Sequence, residues 1–233
     1  MRIVRDFNQD WLFVPERVEP DYPDARFAAV TLPHTNKLFA RPYVDNADYQ
    51  FVSTYRKRFT IPENLDGRRV FIDFDGVMLV STVCLNGVFL NVHQGGYTPF
   101  SVEITEQVTA GENVLTVYVD ATEDERVPPY GGRVDFLTFG GIYREVWLRI
   151  VETDHIVNVF ARPLDVLTTP RLECDVELAP AGGHLRLDAR VEDGDGRVIA
   201  AITQDAQERA ISLSFAEVGQ VALWSLENPA LYR

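Results

Sequence analysis

The side chains most able to move protons or bind metal near neutral pH are four histidines, His34, His93, His155 and His184. They are scattered, and no Cys or carboxylate stands at ligand spacing from any of them, so no metal site is expected from them. A serine nucleophile would need a Gly-X-Ser-X-Gly elbow, and a phosphate cradle would need a glycine loop opening a helix. Neither occurs. The pairs Gly95-Gly96, Gly131-Gly132 and Gly140-Gly141 instead read as loops or bulges. Hydrolysis by a carboxylate pair requires two acids about 5 to 9 Å apart across the scissile bond, and 35 acidic residues offer such pairs by chance. The densest group, Glu123-Asp124-Glu125, is followed by Arg126 and Pro128-Pro129 and reads as a solvated loop. The run Val191-Glu192-Asp193-Gly194-Asp195-Gly196-Arg197 lacks the ligand spacing and closing Glu of a calcium loop and is expected to be a hairpin turn.

Two residues near one glycine pair invite a closer reading. In an extended strand after Gly140-Gly141-Ile142-Tyr143, Arg144 would share a face with Val146, Leu148 and Ile150. A guanidinium in an apolar row is costly unless paired, so an internal Arg–carboxylate bridge locking the sheet is expected there, in preference to a substrate contact. Asp135 lies six residues before Gly141, between Val134 and the aromatic Phe136 and Phe139. A loop that apolar is of the kind that reaches a ligand or partner surface.

The elements that must position these residues are strands. Period-two alternation runs through nearly every segment, and no window of eleven or more residues carries a helical stripe. In Arg171-Leu172-Glu173-Cys174-Asp175-Val176-Glu177-Leu178 every charge lies on one face. The run from His184 to Val191 repeats the pattern, with Leu185, Leu187, Ala189 and Val191 inward. Further strands are expected over 53–61, 69–74, 81–92, 113–120 and 143–150, punctuated by turns such as Leu85-Asn86-Gly87 and Ala110-Gly111-Glu112. Many short strands joined by Gly, Pro and Asn turns indicate a sandwich or jelly roll. A boundary is expected near Val151-Glu152-Thr153-Asp154, where the aromatic-rich first part gives way to plainer strands. The predicted domains are 1–152 and 153–233. The second carries some six strands in about 80 residues, slightly small for an immunoglobulin-like sandwich, as though cut short by a strand.

With 233 residues the chain has room for two cores. Its 46% apolar and 24% charged residues are those of an ordinary folded protein. A net charge of −13 repels phosphate backbones and anionic membrane leaflets, which argues against nucleic acid and membrane partners. No apolar run approaches the roughly 20 residues of a membrane span and no signal-peptide core follows Met1, so the expected location is the cytoplasm. Cys84 and Cys174 are read as buried thiols, not a disulfide.

The motifs, taken in order, resemble a known family. Phe74-Asp75-Gly76-Val77, Leu85-Asn86-Gly87, Gly111-Glu112-Asn113-Val114-Leu115 and Gly141-Ile142-Tyr143-Arg144-Glu145-Val146 are similar to the sugar-binding domain of family 2 glycoside hydrolases of the β-galactosidase type. Leu32-Pro33-His34-Thr35 and Tyr55-Arg56-Lys57-Arg58-Phe59 resemble earlier landmarks of that domain. Trp224-Ser225-Leu226-Glu227-Asn228-Pro229-Ala230-Leu231-Tyr232 resembles a late signature of the following domain. Each motif is weak alone, but their occurrence in order is specific to the family. They discriminate less well between its β-galactosidase, β-glucuronidase and β-mannosidase branches.

The resemblance implies an all-β chain, a jelly roll over 1–152 and an immunoglobulin-like sandwich over 153–233. It also implies a separate TIM barrel that holds both catalytic glutamates. A barrel takes about 250 further residues, so this chain is expected to hold no catalytic residue and to hydrolyse nothing alone. The resemblance also implies that Asp135 reaches the rim of the barrel's sugar pocket, contacting sugar hydroxyls or a bound sodium ion. An asparagine, Asn46 or Asn36, is implied to approach the same pocket. Arg144 is assigned a structural role. The implied partners are the barrel, a β-glycoside substrate and further copies of the chain in a homo-oligomer. Sodium or magnesium is the cofactor implied for the longer enzyme. Two other readings stay open: a stand-alone carbohydrate-binding module using aromatic platforms such as Tyr97, Tyr130 and Phe136, and a purely structural protein. Glycan binding by the isolated chain would favour the module, and a reading frame continuing into βα repeats would favour the enzyme.

Overall fold

Alternating sequence becomes paired strand throughout the computed structural model, which describes residues 2–38, 45, 48–61, 64–131, 137–179 and 184–233. The chain forms two units, 1–152 and 153–233. Among the described residues helix is confined to short 3-10 turns such as Asp24–Arg26.

Among the described residues unit 1 holds ten strands: β1 (Ile3–Asp6), β2 (Trp11–Val14), β3 (Ala28–Val30), β4 (Val52–Phe59), β5 (Arg68–Phe74), β6 (Val80–Leu85), β7 (Val88–Gln94), β8 (Phe100–Glu103), β9 (Asn113–Asp120) and β10 (Val146–Glu152). They pair antiparallel into a six-stranded sheet, β3-β2-β4-β9-β6-β7, and a four-stranded sheet, β1-β10-β5-β8. One core joins the two inner faces. Tyr55, Val83, Leu85, Leu115, Val117 and Val119 come from the larger sheet, and Val70, Ile72, Phe74, Val102, Leu148 and Ile150 from the smaller, all buried. A sandwich follows, because each sheet has one apolar face to cover.

β9 is buried on both faces, which explains its run of apolar residues. It lies between β4 and β6 at the sheet centre. On β4, Thr54 and Arg56 face away from the core and are covered by the segment 16–27. Arg56 is 1% exposed. Its guanidinium donates to the carbonyls of Tyr22 (2.7 Å), Pro20 (3.1 Å) and Glu19 (3.3 Å) and to Asp24 Oδ1 (2.7 Å). The segment has little ladder of its own, so this buried cation supplies donors its carbonyls would otherwise lack.

Unit 2 contains β11 (Ile156–Leu164), β12 (Arg171–Leu178), β13 (Leu185–Glu192), β14 (Val198–Ala206) and β15 (Ala210–Phe215). They form the sheets β11-β12-β15 and β13-β14. Cys174, Val176, Leu178, Val191, Ile211, Leu213 and Phe215 make the core, with Leu185, Leu187 and Ala189 packed against it. The alternation read in β12 and β13 therefore points inward as expected. The Asp193–Arg197 run is the β13–β14 hairpin turn: Asp193 Oδ1 accepts from the Asp195 and Arg197 amides at 3.0 and 2.9 Å.

Two expectations are corrected. Arg144 is exposed, because ladder pairing in β10 begins only at Val146↔Phe74 and the chain before it leaves the strand's alternation. The buried row holds Val146, Leu148 and Ile150 without it. Its guanidinium carbon lies 5.5 Å from the Tyr143 ring centroid, and its stem crosses Gly76, where an added Cβ would come within 2.9 Å of Arg144 Cδ. The buried arginine bridge is made instead by Arg56 with Asp24. Both cysteines are free thiols, but only Cys174 is buried. Cys84 is half-buried, since the core face of β6 is filled by Val83 and Leu85.

Candidate functional site

The segment after the 132–136 stretch is fixed more densely than its glycine content suggests. Asn36 N–H donates to Gly140 O at 2.8 Å and His34 N–H to Ile142 O at 2.8 Å. Gly141 and Met78 exchange both backbone bonds, at 3.0 and 3.1 Å, so 140–142 is held between 34–36 and Met78. Ahead of it, Thr138 Oγ1 accepts from Gln50 Nε2 at 3.2 Å and the Phe139 ring lies 5.7 Å from that of Tyr49. On the other flank, Glu123 Oε1 accepts from the Gly131 amide at 2.7 Å, and Val127 packs on Met78 and Leu79.

Both glycines are required by close approach. A Cβ at Gly140 would fall 2.3 Å from Ala121 Cβ and 2.6 Å from Asn36 Nδ2. One at Gly141 would fall 2.6 Å from Tyr55 Oη and 2.7 Å from His34 O. Gly141 also has φ +118°, a conformation that disfavours any L side chain.

The group that gathers these strands is the Tyr55 hydroxyl. It lies 2.8 Å from His34 Nδ1 and accepts the Ile142 amide. Tyr55 is fully buried, and burial pushes its phenol well above the ordinary tyrosine value, with the Ile142 bond pulling the other way. Burial also lowers the pKa of His34, whose ring packs 4.8 Å from that of Phe13. A neutral imidazole against a neutral phenol is thus the favoured state. This is an anchoring junction, since a phenol so hard to ionise is a poor acid or base near neutral pH.

The acidic run 123–125 is bound up in turn structure. Arg126 donates to Asp124 at 2.9 and 2.6 Å, and those bonds, with the Arg126 amide, pull the Asp124 carboxyl down to about 2. Among the described residues no three His, Cys, Asp or Glu side chains are grouped to hold a metal ion. In unit 2 an apolar cavity of about 680 Å³ opens between the sheets, lined by residues such as Val159, Leu172, Leu213, Phe215 and Trp224. Its lining is mainly apolar, with Arg171, Asp188, Arg190, Tyr232 and Arg233 as its polar members.

Asp135 and Asn46, the two residues expected at a sugar pocket, lie outside the described residues. The alternative asparagine, Asn36, is buried and donates from Nδ2 to Tyr49 O at 2.7 Å. Sequence reading missed Tyr55 and His34 as a pair because 21 residues separate them. The one available signal was their presence in two motifs already noted, Leu32-Pro33-His34-Thr35 and Tyr55-Arg56-Lys57.

A two-sheet antiparallel sandwich with its loop roots clamped in this way defines an all-β protein of the β-sandwich class. The family model for the sugar binding domain of glycosyl hydrolases family 2 matches residues 7–151, and the chain belongs to that family. A β-galactosidase of Thermoanaerobacter pseudethanolicus is 37% identical across 99% of this chain and 32% of its own length. One of Thermoanaerobacterium thermosulfurigenes is 34% identical across 100% of this chain and 34% of its own. Among solved structures, a calcium-binding mutant of Bacteroides uniformis β-glucuronidase 2 superposes with a TM-score of 0.89 at 27% identity, covering 100% of this chain and 30% of that one. The chain spans about a third of the length of the curated relatives it matches.

Proposed function

We propose that this chain is the non-catalytic sugar-binding region of a β-galactosidase-type glycosidase, which supports a separate catalytic barrel and lends Asp135 to the sugar pocket. The supporting observation is that it matches enzymes named β-galactosidase along 99% of its own length and only 32% of theirs. Two thirds of such an enzyme would then lie outside it. In this reading the longer enzyme hydrolyses terminal β-D-galactosides or related β-glycosides, works in the cytoplasm and assembles as a homo-oligomer. Unit 1 is its jelly roll and unit 2 its immunoglobulin-like sandwich.

The clamped roots at 131 and 137–142 support the role given to Asp135. A carboxylate can be placed to within a fraction of an ångström only if its loop springs from rigid elements. Asn46 is a second contact in the same reading. A sodium ion against Asp135, or a magnesium ion in the longer enzyme, would need ligands that the described residues do not group together.

The test is Asp135→Ala in the chain joined to its barrel. Loss of charge-assisted hydrogen bonds to substrate should lower kcat/KM ten- to over a hundredfold, about 1.5 to 3 kcal/mol. Unchanged kinetics would remove Asp135 from the pocket. A second reading, a carbohydrate-binding module, draws on Tyr97 and Tyr130, which are 44% and 53% exposed and could stack on sugar rings. Calorimetric titration of this chain with free glycans separates the two, because only the module binds them without a barrel.

A further inference from the structure

Three buried side-chain atoms on the core side of unit 1 have no hydrogen-bond partner among the described residues: Asn36 Oδ1, Ser53 Oγ and Ser81 Oγ. Ser53 and Ser81 are both 0% exposed. In the six-stranded sheet Ser53 pairs with Val119 from one side and Ser81 pairs with Val119 from the other. Directly opposed residues project from the same face, so Ser53, Val119 and Ser81 form one row across the core face. The next row, Tyr55, Val117 and Val83, is filled by larger side chains.

Asn36 reaches the same end of the core. The Cβ position of Gly140 lies 2.6 Å from Asn36 Nδ2 and 2.3 Å from Ala121 Cβ, and Ala121 follows the last residue of β9, two places beyond Val119. The Asn36 amide N–H donates to Gly140 O and Nδ2 to Tyr49 O, while the side-chain oxygen Oδ1 has no partner among the described residues. Burying a hydroxyl or amide oxygen is unfavourable unless a new hydrogen bond replaces those lost to solvent, and native interiors satisfy nearly all such groups, often with ordered water.

We propose that this end of the unit 1 core binds ordered internal water, one molecule joining Asn36 Oδ1 to Ser53 Oγ and a second held by Ser81 Oγ. Two are needed because Ser53 and Ser81 stand two strands apart, roughly 9 to 10 Å at about 4.8 Å per strand, beyond what one water can span. Serine suits the row: it is small enough to leave room and polar enough to hold a solvent molecule that a dry apolar gap would exclude. Backbone carbonyls along the row keep a second lone pair that can complete each water's two to four partners. The first water would share Asn36 with the bond to Gly140 O, making solvent part of the clamp on the 140–142 segment.

A crystal structure of the whole 233-residue chain, at a resolution that orders internal solvent, should place water within hydrogen-bond distance of all three atoms. Oxygen-17 relaxation dispersion then counts long-lived waters in solution. The count should fall by one in Ser81→Ala and by one in Ser53→Ala. Protein groups bonded directly to the three atoms in the crystal, or a water count unchanged in both variants, would overturn the proposal. The wild-type crystal decides alone should a variant fail to fold.

Discussion

Tyr55 Oη holds together three stretches of chain that are distant in sequence, which makes single-atom changes there informative. Tyr55→Phe keeps the ring in the core and deletes only the oxygen that accepts the Ile142 amide and meets His34. A buried donor left unpaired costs about 1 to 3 kcal/mol, so the urea midpoint of Tyr55→Phe should fall by that amount divided by the m-value. Gly141→Ala should cost at least as much, from the strain of φ +118° and the overlap with Tyr55 Oη. His34 gives a pH signature. Its folded pKa is depressed by burial, so between the folded value and the unfolded value of about 6.5 the unfolded chain binds more protons. Stability from this group is complete above about 6.5 and is lost as pH falls from there through the folded value. The slope of stability against pH below 6.5 should flatten in His34→Gln. An unchanged slope would place the titration on another histidine.

β4 shows how one strand serves two faces. Inward it gives Tyr55 and Phe59 to the sandwich core, and outward Thr54 and Arg56 to the segment 16–27. Arg56 and Arg58 both pair with Asp24, at 2.7 and 2.5 Å, yet their side chains are 2% and 44% exposed. Desolvation separates their worth. Removing the buried partner should cost about 3 kcal/mol, since it orphans Asp24 in part and three carbonyls besides, whereas the exposed pair is worth under about 1 kcal/mol. Arg56→Ala should therefore lower the denaturation midpoint severalfold more than Arg58→Ala. Equal shifts would show that the packing of segment 16–27 does not depend on the buried cation.

At the scale of the whole molecule, the chain belongs to a family of glycosidases while spanning about a third of the length of its matched relatives. The proposed division of labour predicts no turnover of nitrophenyl β-galactoside by this chain above background. Activity that persists through repurification would contradict it. Each unit has its own core, so destabilising changes in β4 should leave the side chains of unit 2 in their folded environment. Chemical shifts of Leu213 and Phe215 would report that directly.

The amino-acid sequence determined what depends on near neighbours. Alternation in 171–178 specified a strand at its observed bounds, because a period of two leaves one face apolar wherever the chain is extended. Asp193 and Gly196 specified a hairpin for the same local reason. Arg144 shows where that reasoning ends: its alternation was right for a strand, but pairing started two residues later, and ladder registers are set by the partner strand. Only the tertiary structure could bring His34 and Tyr55 to 2.8 Å, place Arg56 over Asp24, or make Gly140 and Gly141 obligatory. Those facts depend on which segments fold against one another across many residues, and hydrophobic patterning is blind to the identity of the partner.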